Sequence, residues 1–154
     1  MTVKVIQATE EHAAQLAPIL REHELEEVSV VSPDKSTEQI LKDCIEISEK
    51  AFAVVSEKEG CVAMFGVSAV SEDAGVPWML ASDKFFTKYK KRFIKETPDY
   101  LDILFGKRKH LYNYVSAKNK LSQTWLKHLG FTIHTEAPII LKDIKFYTFE
   151  QRRN

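Results

Sequence analysis

The chain reads as a single α/β domain over residues 1–154, with a mixed central sheet and helices on both faces. Three observations predict it. The 154 residues, 44% hydrophobic and 29% charged, have the size and make-up of one globular unit that can bury a core. Two alternating segments joined by a Gly-containing turn form a hairpin, and apolar strands alternating with helical segments follow, so part of the sheet runs parallel. Near the end, Asn119, Gly130 and Phe131 bracket one helix between two strands.

The elements follow in order. Residues 3–7 alternate as a strand does. Thr9 then caps a helix with Glu10 and Glu11 in its first turn, where acids suit the helix dipole. Ala13, Leu16, Ile19 and Leu20 supply the apolar stripe of that helix, and Pro18 is expected to kink it. Residues 23–34 are acidic, then apolar at Val28, Val30 and Val31, and end in Ser-Pro-Asp; they read as a loop. Ser36 and Gln39 have capping-box spacing and open a helix packed through Ile40, Leu41, Cys44, Ile45 and Ile47. Residues 51–55 and 61–70 form the hairpin about a turn at 57–60, and 76–81 is a third apolar strand. Residues 83–95 are helical, with Phe86, Tyr89, Phe93 and Ile94 on one side. Thr97-Pro98 stops that helix and starts a short one closed by Gly106. Tyr112, Tyr114 and Val115 mark a fifth strand, 121–129 a helix ended by Gly130, and 131–135 and 145–149 the closing strands.

Bulk properties exclude several classes. No apolar run approaches the roughly 20 residues of a membrane span, and the first residues lack the pattern of a signal peptide. Cys44 and Cys61 read as free thiols of a reducing compartment, and the five histidines show no metal-ligand spacing. The zero net charge hides a split. Residues 10–60 hold thirteen acids against five bases, and residues 84–110 hold nine bases against three acids. Lys84, Lys88, Lys91, Arg92 and Lys95 are therefore a candidate nucleic-acid face, set against a plain reading as the solvated side of an amphipathic helix.

The order of elements resembles the GCN5-related N-acetyltransferase (GNAT) fold. The segment 115–131, with Asn119, Ser122 three residues later and Leu129-Gly130-Phe131, looks like that family's strand-helix motif. The resemblance implies a GNAT-like single domain. In that family a substrate amine attacks the thioester of acetyl-CoA, and three stations serve the reaction. Here each is altered. The glycine turn that cradles the pyrophosphate is replaced by residues 81–86, Ala-Ser-Asp-Lys-Phe-Phe, where glycine is lacking and Asp83 brings a negative charge. The tyrosine acid expected five residues before Phe131 is Leu126, and no Glu stands on the strand at 77–80.

A narrower resemblance covers residues 77–149. Trp78-Met79-Leu80-Ala81-Ser82-Asp83, the basic helix, and Leu111 to Val115 with Asn119 to Gly130 are similar to an internal virion or morphogenesis protein of T7-like tailed phages. The resemblance implies a phage GNAT-fold protein acting by binding, in virion assembly or as a minor internal virion component, without catalysis. Catalytic residues are left unassigned, and neither cofactor nor metal is expected. The alternative is an acetyl-CoA-dependent N-acetyltransferase acting on a protein or small amine. Met79, Leu80, Ala81 and Ser82, with Asn119, would then hold the cofactor, and Tyr112, Tyr114 or Tyr147 would replace the missing acid. A second alternative is a phage effector that binds a host protein or nucleic acid. Expected partners are phage structural or host proteins, and the expected location is the cytoplasm of the infected bacterium or the virion.

Overall fold

The computed structural model describes residues 3–97 and 99–154. In chain order the elements are β1 (Val3–Gln7), α1 (Glu10–Leu16), α2 (Glu22–Val31), α3 (Thr37–Ile47), β2 (Lys50–Ser56), β3 (Gly60–Ala69), β4 (Ala74–Ala81), α4 (Lys90–Glu96), α5 (Tyr100–Phe105), β5 (His110–Ser116), α6 (Lys120–His128), β6 (Thr132–Leu141) and β7 (Ile144–Arg152). One seven-stranded sheet runs β1-β2-β3-β4-β5-β7-β6. Every pair is antiparallel except β4 with β5, so the sheet is mixed, as expected.

Each face carries a core. On one, α1 and α3 seal Ala13, Leu16 and Leu41 against Ala53, Cys61, Met64 and Leu80. On the other, rings interlock: Phe65 lies 4.8 Å from Tyr100 and 5.7 Å from Phe93, both edge to face, a geometry that adds to the gain from burying such rings. Burying each large apolar side chain contributes on the order of 1.5–3 kcal/mol. These two layers hold β3 and β4 rigidly at the centre.

The caps follow the sequence closely. Thr9 accepts from the His12 amide, and Ser36 from the Gln39 amide at 3.1 Å. The reciprocal arm of the second box is absent among the described contacts, for Gln39 turns to Asp43 instead. Gly130 closes α6 at φ +94°, with its own amide on the Lys127 carbonyl and the Phe131 amide on that of Leu126. That pair of bonds is the Schellman arrangement, and it needs a residue at positive φ.

Four expectations are corrected. Pro18 does not kink a long helix: α1 ends at Leu16 and a 3₁₀ turn (Ala17–Ile19) follows, because the proline ring carries no N–H for the α ladder. Ile19, Ile47 and Ile94, placed on apolar stripes, are exposed. The helical stretch before α4 contains a π-turn over Phe85–Tyr89, which rotates the stripe and turns Ile94 outward while Phe93 stays buried. The largest correction is the loop read over residues 23–34. It is mostly α2, a helix whose buried residue is a glutamate. The proposed stop at Thr97-Pro98 falls partly on Pro98, which lies outside the described residues.

Candidate functional site

β4 and β5 pair only at their first residues, Ala74 with His110 and Gly75 with Leu111. Beyond that rung the strands splay, and Asn113 spans the opening by donating from Nδ2 to the Pro77 carbonyl at 2.8 Å. Splaying strips ladder partners from backbone groups that face the gap, and buried groups of that kind must be satisfied otherwise. At the far end α2 supplies the partners. Glu24 Oε1 accepts the Ala81 N–H at 3.2 Å, while the Arg21 N–H, one residue before α2, donates to the Ala81 carbonyl at 3.2 Å. Across the gap Glu27 Oε1 accepts from the Ser116 N–H at 3.0 Å and from Asn119 Nδ2 at 3.1 Å.

Arg21 sits between these groups and is only 6% exposed. Its Nη2 donates to Asn119 Oδ1 at 3.2 Å and its Nη1 to Ser122 Oγ at 3.4 Å. Nη1 also lies 3.1 Å from Glu24 Oε2, and Nε lies 3.6 Å from the exposed Asp83 carboxylate. The guanidinium stacks 4.8 Å from the centre of the Phe86 ring. One cation thus serves Glu24, Glu27 and Asp83. Burial pushes the Glu24 carboxyl up from 4.5 to about 7; Arg21 opposes the rise and Glu27 adds to it. Glu27 is raised too, again by burial, against the hydrogen bonds from Asn119 and the Ser116 amide.

Between the splayed strands lies a cavity of about 290 Å³. Met79, Tyr100, Leu104, Trp125, Leu126 and Phe131 give it an apolar wall, and Glu24 and Glu27 close one side. Tyr100 reaches toward Met79 Sδ at 4.0 Å, and burial raises its hydroxyl above the usual range. The rim holds Val31, Tyr114 and Leu141, all exposed.

Of the residues singled out in the sequence, Met79 and Leu80 line the cavity, Ala81 and Asn119 meet through Arg21, and Ser82 is turned away from it. Ala81 ends β4, and Ser82 follows it with its hydroxyl on the Val62 carbonyl at 2.8 Å while accepting the Phe85 N–H at 3.3 Å. Asn119 caps α6 by accepting the Ser122 N–H at 3.2 Å. Arg21, Glu24 and Glu27 were missed. Their spacing of three is a helical signal, but it lies in polar residues, and the apolar periodicity used to find helices passes over it. Of the basic residues, Lys84 and Lys88 reach back to Glu59 at 2.6 and 3.4 Å, which holds the Glu59 carboxyl down at about 2. Lys91, Arg92 and Lys95 are exposed. Tyr112 lies tilted beside His110 and Tyr147 under Lys145, and neither is among the residues that line the cavity. Both cysteines are free, and burial raises Cys44 to about 11 and Cys61 to about 12. Among the described residues no group of three or more His, Cys, Asp or Glu side chains could hold a metal ion, and no helix is long and apolar enough to cross a membrane.

A central sheet whose fourth and fifth strands run parallel and then part is the architecture of the GNAT acetyltransferases, and solved structures bear this out. The chain superposes on Ard1 from Thermoplasma volcanium with a TM-score of 0.73 at 11% identity, covering 100% of this chain and 99% of that one. It matches a GCN5-related N-acetyltransferase from Kribbella flavida at TM-score 0.68 and 9% identity, covering 99% and 98%. A spermidine N-acetyltransferase SpeG chimera of Vibrio cholerae and hSSAT gives 0.68 at 13%, covering 99% and 96%. The fold is therefore that of the GNAT proteins. In sequence, residues 54–137 match the family described as "Bacteriophage T7, probable scaffold protein Gp13", and the chain belongs to that family. No curated protein matches it in sequence.

Acetyl-CoA is the cofactor that such a fold implies, and the residues present fit it poorly. The amide and carbonyl of Ala81 and the amide of Ser116 are taken by Arg21, Glu24 and Glu27. Where a pyrophosphate would meet a helix start stand the Asp83 carboxylate and the Phe86 ring, with Arg21 already shared among carboxylates.

Proposed function

We propose that this protein acts by binding rather than by catalysis, in the assembly of a phage particle or as a minor internal component of it. The observation that carries the reading is the capture of the backbone groups at the far end of the splay, those of Ala81 and Ser116, by the chain's own Arg21, Glu24 and Glu27. A cofactor bonding to those backbone groups would have to displace Glu24 from the Ala81 amide and Glu27 from the Ser116 amide and leave the carboxylates, and the Arg21 paired with Glu24, without these partners, which costs several kcal/mol. The family's description as a scaffold protein supports a role in assembly; on this reading the protein acts in the infected bacterium or the particle, with phage structural proteins or host proteins as its partners. Calorimetry with acetyl-CoA up to millimolar concentration tests this. Heat of binding is expected to be undetectable; micromolar affinity would overturn the reading.

A second reading, N-acetyl transfer from acetyl-CoA to a protein or small amine, is favoured by the cavity itself. It keeps about 290 Å³ of space at the splay, and Tyr100, protonated because it is buried, stands on its wall where Leu126 cannot serve as an acid. Acetylation of a polyamine or peptide mixture, followed by mass spectrometry, decides between the two readings.

A further inference from the structure

The cavity is a binding site with a definable ligand. Two residues of its wall each hold a buried polar atom that lacks a hydrogen-bond partner: Glu24 Oε2, an acceptor, and Trp125 Nε1, a donor. Glu24 is 3% and Trp125 6% exposed, and Glu24 Oε2 meets Arg21 as an ion pair without hydrogen-bond geometry. Buried polar atoms left in this state are costly, so a ligand whose entry turns these side chains toward the cavity and offers them a donor and an acceptor recovers that loss.

Three more observations narrow the ligand. Strand alternation turns the backbone of Pro77, Met79 and Ala81 toward the gap. The Pro77 carbonyl is held by Asn113, and both groups of Ala81 by Arg21 and Glu24, so Met79 presents a single rung between them. The charge is unbalanced: the single guanidinium of Arg21 faces Glu24, Glu27 and Asp83, with His23 the other basic group near Glu27. The rim is apolar and wet, with Val31 at 80%, Tyr114 at 45% and Leu141 at 41% exposure.

The geometry points to an extended segment of another protein as the occupant. It pairs its backbone at Met79, seats a large apolar side chain in the cavity, and carries a lysine or arginine beside it for the carboxylates of α2. Short strand addition of this kind draws affinity from main-chain bonds and selectivity from side-chain pockets. This rests on the binding reading above, since a resident cofactor would take the same space. Pantetheine also offers amide donors and acceptors, but it brings no positive charge.

A library of capped hexapeptides, randomised over apolar, basic and acidic residues, tests the assignment on the intact chain. The selected peptides are expected to place Lys or Arg next to a large apolar residue. Replacing that basic residue with norleucine should weaken binding by about tenfold. Val31→Asp, on the exposed rim, should weaken binding similarly while leaving the melting temperature unchanged. Glu24→Gln should remove the preference for the basic residue. Absence of enrichment, or enrichment of acidic peptides, overturns the inference and leaves the binding reading intact if acetyl-CoA also fails to bind. Tight binding of pantetheine or acetyl-CoA in competition with the peptides overturns both.

Discussion

Replacing Glu24 with glutamine separates the role of its charge from that of its shape. In the native chain Glu24 accepts the Ala81 N–H and lies against Arg21, and burial lifts its carboxyl from 4.5 to about 7. A carboxyl raised on folding holds its proton more tightly in the native state. Its contribution is therefore greatest below pH 4.5, falls as pH rises toward 7, and is flat above. At about 1.4 kcal/mol per pH unit, the interval from 4.5 to 7 amounts to roughly 3 kcal/mol. Glutamine keeps the acceptor for Ala81 and removes the buried charge. Arg21 then loses one carboxylate but keeps Asn119, Ser122 and Asp83. The expected outcome is a variant about as stable as the parent at pH 5 and more stable at pH 8, by about 1–3 kcal/mol or several degrees in Tm. Urea unfolding of both proteins from pH 4.5 to 8.5 measures it. The difference between them cancels groups remote from Glu24, including His134, which Glu150 holds above its ordinary value and whose contribution also fades as pH rises; Glu27, whose charge raises Glu24, adds to the difference with the same sign. A difference that stays constant over this range, or a variant weaker at pH 8 than at pH 5 relative to the parent, refutes the reasoning.

Three further outcomes follow from the fold. Gly130→Val forces a β-branched residue to φ +94° and presses against Gln151, so a loss of about 1 kcal/mol or more is expected in thermal melts; an unchanged Tm would contradict the cap. Gly66→Ala would place a methyl 2.4 Å from the Lys50 carbonyl and 2.9 Å from the Trp78 ring, and the urea midpoint should fall by the equivalent of about 1–3 kcal/mol. On the basic helix Lys84 and Lys88 are already engaged with Glu59. Duplex DNA is therefore expected to bind weakly, with a log–log salt slope no steeper than about −3; a slope near −5, one unit per basic residue, would show that all five side chains contact phosphate.

The elements that carry apolar periodicity were legible in the sequence. All seven strands occur in the order read, although β6 runs on to Leu141 and β7 to Arg152, beyond the 131–135 and 145–149 expected, and the helix starts at Thr9 and Ser36 and the cap at Gly130 stand where the residues placed them. Each is set by local physics: a side-chain oxygen on a free amide, a residue without Cβ at positive φ, alternation on a half-buried strand. The parallel contact of β4 with β5 follows from the helical crossover between them, and their divergence is what the GNAT resemblance implies. What escaped is the π-turn at Phe85–Tyr89, because inserting one residue into a helix changes which side chains share a face without altering composition. The paired histidines escaped as well. His110 and His134 both bond Glu150, at 2.8 and 2.7 Å, across three neighbouring strands, a meeting fixed by sheet register rather than by spacing in the chain.

Helix α2 escaped for a different reason, and that reason bears on function. A helix is recognised in a sequence by the apolar stripe it lays on a core. The inner face of α2 lies instead on the polar ends of two parting strands, so its buried residues are the kind that sequence patterns assign to solvent. The splay makes this necessary. Once β4 and β5 part after Gly75 and Leu111, the Ala81 and Ser116 amides are left in the interior, and every chain with this sheet must supply acceptors for them. That task falls to the chain itself, to water or to a ligand. This chain performs it with Glu24 and Glu27, and then needs Arg21, Asn119 and Ser122 to neutralise and orient the charges it has buried. The acidic run at residues 22–27, the loss of glycine after β4 and the aspartate at position 83 are thus connected. Each suits a gap filled from within, and each opposes a diphosphate in the same place.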